Sequence, residues 1–222
     1  DLRMSRGLGD VYKRQILKCG RPIVLSLSPG PAHVDRAWNY SEHANMWRIT
    51  DDFWDNWEAL KDMFTRCERW QDHVKKGCYP DCDMLPLGFL GKGFGQERRT
   101  NFTEDEQRTM LTLWCIFGSP LMLGCELTKL DDETLKLITD EQILGLLAEG
   151  RHGRQLVHTD KFAAWINEPT EEKAVDKGSY IALFNLDDER RHVSFNAADY
   201  EVSGGRLLDY EIPAHGSVLV KL

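Results

Sequence analysis

The chain has 222 residues, 41% of them hydrophobic, with seven Trp and nine Phe, enough to bury a substantial core in one large domain or two smaller ones. A formal net charge of -8 and a pI near 5.4 exclude the basic surface that a nucleic-acid partner requires. No apolar run approaches the length of a membrane-spanning helix, and nothing in the composition points to disorder.

Taken in chain order, residues 1–15 have no apolar targeting segment and neither a helical nor a strand period. The stretch SRGLGDVYKRQ reads as translated sequencing-adapter DNA. A non-native, adapter-like or disordered leader is therefore expected here, with genuine sequence starting at Ile16 and the true start of the protein missing. Ile23 to Leu27 is a short apolar run ending at Ser28-Pro29-Gly30-Pro31, which predicts a buried strand followed by a sharp loop and puts Ser28 at a strand end. A short helix is expected within 33–44. Met46 to Ile49 predicts the next strand, after which Trp54, Trp57, Leu60, Phe64 and Cys67 recur at helical spacing toward Trp70. That stripe reads as core rather than as sugar-stacking aromatics.

Residues 84–88 form another brief apolar run. Phe89 to Asn101, with Gly91-Lys92-Gly93-Phe94-Gly95, lacks the Gly-Lys-Ser/Thr ending of a phosphate-binding loop and reads as a mobile loop over an active site. Thr103-Glu104-Asp105-Glu106 is a capping box ahead of a helix whose apolar face carries Met110, Leu113, Trp114 and Phe117. Asn101-Phe102-Thr103 also fits a glycosylation sequon, although capping suffices to explain Thr103. Ser119 to Cys125 predicts a further strand. Two short helices follow, one entered at Asp131 or Asp132, the other at a second capping box over Thr139-Asp140-Glu141-Gln142. From about His158 the pattern changes to short runs, Phe162–Ile166, Tyr180–Phe184, His192–Phe195, Val202–Leu208 and Val218–Leu222, separated by Gly, Asn, Asp and Pro. That spacing predicts a small antiparallel β domain.

Strand, loop and helix in repetition are the rhythm of a βα barrel, in which residues at the carboxyl ends of strands face the substrate. Arg48 and Asp52 lie across one such end, and Asp81 and Asp83 near another. A cation among carboxylates suits sugar hydrolysis, where one carboxyl group donates a proton beside a second that serves as nucleophile or base. Asp51 or Asp52 is equally well placed to cap a helix beginning near Phe53, and Asp81 and Asp83 to sit in a loop beside Pro80.

Four segments occur in order: Gly20-Arg21-Pro22-Ile23-Val24-Leu25-Ser26-Leu27-Ser28; Met46-Trp47-Arg48 through Asp52 and Trp57; Tyr79-Pro80-Asp81-Cys82-Asp83-Met84-Leu85; and Leu113-Trp114-Cys115-Ile116-Phe117-Gly118-Ser119-Pro120-Leu121-Met122. Together they resemble the second half of a glycoside hydrolase family 27 enzyme, the family of α-galactosidases and α-N-acetylgalactosaminidases. The resemblance implies an α/β plus all-β architecture, in which residues 16–157 form the C-terminal half of a (β/α)8 TIM barrel and residues 158–222 an antiparallel β-sandwich. It implies a retaining hydrolase acting on terminal α-linked galactose-like sugars, with an oligosaccharide or glycoside as partner, no cofactor, and a secreted, periplasmic or lysosomal-type setting.

Residue by residue, Asp52 falls on the family's general acid/base and Arg48 on its substrate-contacting arginine. Asp83 matches the second aspartate of the Asp-Pro-Asp-Met-Leu motif, which accepts bonds from sugar hydroxyls or orients the acid/base. Asp81 stands one layer behind. Ser28 falls where galactosidases carry glutamate and enzymes accepting an N-acetyl group carry serine, although Pro29-Gly30-Pro31 departs from the family's Trp-Pro. Cys82 stands where the family commonly has Pro or another small residue, a change expected to alter local stiffness more than chemistry. The family's nucleophilic aspartate belongs to an earlier strand, upstream of Gly20-Arg21-Pro22, and no segment here supplies it. The resemblance thus implies a fragment that does not catalyse alone and whose half barrel exposes apolar edges. The alternative function is an inactive module that only binds carbohydrate or a partner. A β-L-arabinopyranosidase, whose substrate differs from α-galactose mainly at C6, belongs to the same family.

Other chemistries fit poorly. The seven His show no pair at metal-ligand spacing, and Cys78-x-x-x-Cys82 lacks a second pair of the zinc type. Cys19, Cys67 and Cys115 fall on apolar faces, where free buried thiols are ordinary. No Gly-x-Ser-x-Gly is present for a serine hydrolase.

Overall fold

The computed structural model describes residues 2–92, 95–170 and 178–222, with side chains from residue 10 onward. Gly93 and Phe94, in the expected active-site loop, lie outside the described residues. The first correction to the sequence expectation comes at the amino end, where α1 spans Leu2–Lys18. Met4, Leu8, Val11, Tyr12 and Ile16 recur at helical spacing, and Leu, Arg, Lys and Gln lose little freedom in a helix. An Asp10–Arg14 ion pair at i,i+4 and a bond from Lys13 to the Glu42 carbonyl add local support.

The next elements alternate strand and helix. β1 (Ser26–Leu27), β2 (Met46–Arg48) and β3 (Tyr79–Asp81) form a parallel sheet in the order β1-β2-β3, with α2 (Ala37–His43) and α3 (Trp57–Trp70) as the connections. Register pairs Leu27 with Trp47 and Arg48 with Asp81. β4 (Met84–Leu85) pairs in parallel with β7 (Met122–Leu123), and between them come the hairpin of β5 (Phe89–Leu90) and β6 (Arg98–Arg99) and helix α4 (Glu104–Phe117). Two short helices follow, α5 (Asp132–Ile138) and α6 (Glu141–Leu144).

Several expected boundaries shift for identifiable reasons. The 84–88 strand is shorter and follows β3 after a break at Cys82-Asp83, where Asp83 adopts a left-handed φ of 76°. The first apolar run yields a strand only over Ser26–Leu27, with Ile23 and Val24 exposed, and β7 is likewise exposed at Met122 and Leu123. Both strands are sheet edges among the described residues. Helix α3 starts at Trp57 because Asn56, not Asp51 or Asp52, accepts the Ala59 N–H at 3.1 Å. At α6 the cap is Asp140 alone, taking N–H bonds from Gln142 and Ile143, while the Thr139 hydroxyl turns back to the Leu135 carbonyl. The Thr103–Glu106 capping box forms as expected, each partner bonding the other's backbone N–H.

The strand-rich part begins at Arg151, ahead of the boundary expected at His158. β8 (Arg151–Thr159), β9 (Phe162–Pro169), β10 (Tyr180–Asn185) and β13 (Ser217–Lys221) make an antiparallel sheet in the order β13-β10-β9-β8. β11 (Arg191–Asn196) and β12 (Leu207–Ile212) pair separately, and the run predicted from Val202 becomes strand only at Leu207. Side-chain alternation divides the four-stranded sheet between two cores. Ala163, Trp165, Ala182 and Phe184 face α3 and α4, joining Phe64, Leu113 and Phe117, whereas Ala164, Ile166, Ile181 and Leu183 pack on Val193, Phe195, Leu208 and Ile212 of the second sheet. β8 crosses the end of α4 at Gly153, where a Cβ would stand 1.6 Å from the Ile116 carbonyl oxygen. His215, in the turn before β13, stacks on Trp57 with ring centroids 3.8 Å apart. Its two ring nitrogens lie 2.7 Å from Glu106 and 2.9 Å from Asp188. The result is an α/β portion and an all-β portion sharing a continuous apolar contact.

Candidate active site

The carboxyl ends of β2 and β3 place Arg48 and Asp81 side by side, and the ladder continues one step further as Ile49 N–H donates to the Asp81 carbonyl at 3.0 Å. The Arg48 guanidinium then forks: one Nη donates to Asp52 Oδ1 at 3.1 Å, the other to Asp83 Oδ1 at 3.0 Å. Arg48 and Asp83 side chains are only 13% and 15% exposed, but Asp52 is 85% exposed, so the fork joins a sunken carboxylate to an open one. Arg48 Nε is buried with no partner among the described residues.

Asp83 is the most constrained member. Its left-handed backbone is uncommon for a side chain larger than Gly, although Asp tolerates it better than most. Its N–H donates to Asp81 Oδ1 at 2.8 Å, its carbonyl accepts from Trp114 Nε1 at 3.0 Å, and its Oδ2 accepts from Phe53 N–H at 2.7 Å. One residue therefore ties the exit of β2, the exit of β3 and helix α4 together. Asp81 is buried, and burial pushes its carboxyl above the ordinary aspartate range. The Asp83 N–H opposes that shift, the Asp83 charge adds to it, and Arg48 opposes it. Cys82, between the two aspartates, donates its N–H to Ser119 Oγ at 3.0 Å and packs its thiol 3.6 Å from that of Cys67. Burial, reinforced by Cys82, drives the Cys67 thiol well up, and all six cysteines are free.

Ser28 follows the end of β1, level with Arg48 by register, and is exposed. It bonds to none of Arg48, Asp52 or Asp83 among the described residues. Its loop is held to the site by Ala32 N–H, which donates to the Arg48 carbonyl at 3.0 Å. The structure thus brings together Arg48, Asp52, Asp83 and Asp81, and sets Ser28 on their rim.

Sequence reasoning missed Asp55. Its side chain is 2% exposed and bonds the Arg98 guanidinium through both oxygens, while Oδ2 also accepts the Asn101 N–H at 2.6 Å. Burial opposes ionisation, yet the Arg98 bonds and the Asn101 N–H prevail and hold the carboxyl below its ordinary value. The pair fastens the β5–β6 hairpin beside the segment carrying Asp52. Its partners are 43 residues apart, so no local pattern announced it. Among the described residues no cluster of three or more His, Cys, Asp or Glu is placed to hold a metal ion.

A parallel α/β sheet that gathers charged side chains at its strand ends defines a protein of the class that binds ligands at that edge. Comparison with known proteins narrows the class. The alpha galactosidase A family model matches residues 3–149, and the chain belongs to that family, glycoside hydrolase family 27. A solved β-L-arabinopyranosidase from Geobacillus stearothermophilus is 41% identical, with a TM-score of 0.87, over 98% of this chain and 53% of its own. A structure described as a putative α-N-acetylgalactosaminidase from Bacillus halodurans is 38% identical, with a TM-score of 0.73, over 95% of this chain and 52% of its own. The α-galactosidase of Cyamopsis tetragonoloba is 25% identical over 88% of this chain and 44% of its own length. The chain spans about half the length of the relatives it matches.

Proposed function

We propose that this chain is the later part of a retaining glycoside hydrolase acting on terminal α-linked galactose-like sugars. Residues 16 to about 150 make the second half of a (β/α)8 barrel and the strands from Arg151 onward a supporting β-sandwich. The observation that carries the reading is the Arg48 fork between an open and a sunken carboxylate at neighbouring strand ends. Asp52 is the acid/base: it protonates the leaving oxygen, then takes a proton from the attacking water. Its exposure suits exchange of that proton with solvent. Arg48 and Asp83 hold sugar hydroxyls, and the three backbone-level bonds to Asp83 keep it in place without the ligand. Asp81 positions Asp83, and Ser28 meets the sugar from the rim. These roles leave the second carboxyl group unassigned, and because the chain spans about half the length of its relatives, the nucleophile is assigned to the part they have in addition, so that the chain alone does not complete the reaction.

A second reading, for a β-L-arabinopyranoside substrate, is favoured by the 41% identity to an enzyme of that name. Both are tested by assaying the chain on p-nitrophenyl α-D-galactopyranoside, its 2-acetamido analogue and p-nitrophenyl β-L-arabinopyranoside. No turnover is expected. Turnover abolished by Asp52→Asn would overturn the claim of an absent nucleophile while upholding the acid/base, and the substrate turned over would choose between the sugars.

A further inference from the structure

The segment that leaves β2 alternates strictly between solvent and core. Asp52 is exposed, Phe53 buried, Trp54 exposed, Asp55 buried and Asn56 exposed. The inward residues are firmly anchored. Phe53 packs on Phe102 and Trp114, with centroids at 6.2 and 5.1 Å, and its N–H is held by Asp83. Asp55 is held by Arg98 and Asn101. Trp54 therefore stands on a backbone fixed on both sides, on the same outward side as Asp52 and two residues beyond it. The sequence stripe that counted Trp54 as helical core does not hold, because α3 begins only at Trp57. Trp54 keeps 37% of its surface exposed and Trp38, on α2, 61%, whereas Trp47, Trp70, Trp114 and Trp165 are buried.

A general acid meets the glycosidic oxygen, the atom joining the scissile sugar to its leaving group. A rigid aromatic surface beside that acid, facing outward, meets whatever the oxygen carries away. We propose that Trp54 is the stacking platform for the leaving-group ring, a second sugar in an oligosaccharide substrate. The proposal rests on the assignment of Asp52 as acid/base and adds a specificity residue to it. The exposed part of the indole is apolar, with few rotamers to freeze, which suits the C–H face of a pyranose.

The test is calorimetric titration of the 222-residue chain, as wild type, Trp54→Ala and Trp54→Phe, with two ligand pairs. These are D-galactose against melibiose, and L-arabinose against p-nitrophenyl β-L-arabinopyranoside. The wild type is expected to bind the member with a leaving group more tightly. Trp54→Ala should weaken that member roughly three- to tenfold and leave the free monosaccharide within about twofold, with Trp54→Phe in between. Equal weakening of both members, or of neither, overturns the Trp54 platform and leaves the Asp52 assignment standing. Absence of saturable binding of any of the four ligands to the wild type overturns both. If Trp54→Ala fails to fold, the decision passes to Trp54→Phe, for which unchanged discrimination between pair members refutes the platform.

Discussion

Replacing Arg98 by Met would strip the buried Asp55 carboxylate of its counter-ion while filling much the same volume. Asp55 would keep the Asn101 N–H at 2.6 Å and a weak contact with Thr100 at 3.5 Å, too little for a charge with 2% exposure. Removing one partner of a buried pair typically costs about 3–5 kcal/mol, a large share of the roughly 5–15 kcal/mol that holds a domain together. The pH dependence follows from the sign of the shift. In the wild type the Asp55 value lies below the ordinary 3.8, so its contribution is present above the unfolded value and lost as pH falls through the folded one. Without Arg98, burial dominates and the folded value rises, so the variant gains relative stability on acidification. Urea denaturation at about pH 7 and pH 4, followed by Trp fluorescence, should show a gap of about 3–5 kcal/mol that narrows at the lower pH. A gap under about 1 kcal/mol, or one independent of pH, would mean that Arg98 does not compensate the buried Asp55 charge.

Asp81 carries the opposite sign. Its raised value means that its contribution is present below the unfolded value near 3.8 and lost as pH rises through the folded one. Asp81→Asn keeps an acceptor for the Asp83 N–H, so its urea midpoint near neutrality should equal or exceed that of wild type, and a clear loss there contradicts the assignment. Gly153→Ala drives a methyl into the Ile116 carbonyl, where neither backbone can yield. It should cost about 3 kcal/mol or more, read as a lowered midpoint, and a neutral substitution would disprove the close crossing of β8 and α4. His215→Asn tolerates the left-handed backbone at that position but removes the ring on Trp57 and the partner of Glu106. A loss of about 1–3 kcal/mol is expected by chemical denaturation, and no change would mean that this contact does not hold the two portions together.

The legible parts of this molecule are those whose signal is local. The Thr103–Glu106 box depends on residues three apart, and the run Tyr180–Phe184 declares a strand through its own apolar residues. Arg48, Asp52 and Asp83 were legible as charges at strand ends, and the short segments around them carried the family resemblance. What escaped was set by distant partners. Asp55 is explained by Arg98, and His215 by Glu106, more than a hundred residues away in the chain. The helix over Leu2–Lys18 does carry Met4, Leu8, Val11, Tyr12 and Ile16 at helical spacing, a pattern that Gly7 and Gly9 obscure, and the start of α3 depended on which of several polar residues reached the free N–H groups. The same shift of that helix start turned Trp54 from an expected core residue into a surface one.

The claim that most needs testing is that the Arg48 fork is a sugar site with Asp52 at its acid end. Crystals of the chain soaked with D-galactose and, separately, L-arabinose would test it directly. A pyranose is expected whose hydroxyls bond Asp83 and Arg48 and whose anomeric oxygen faces Asp52. A sugar bound elsewhere on the molecule, or one at this edge that leaves Asp83 and Arg48 untouched, would contradict it.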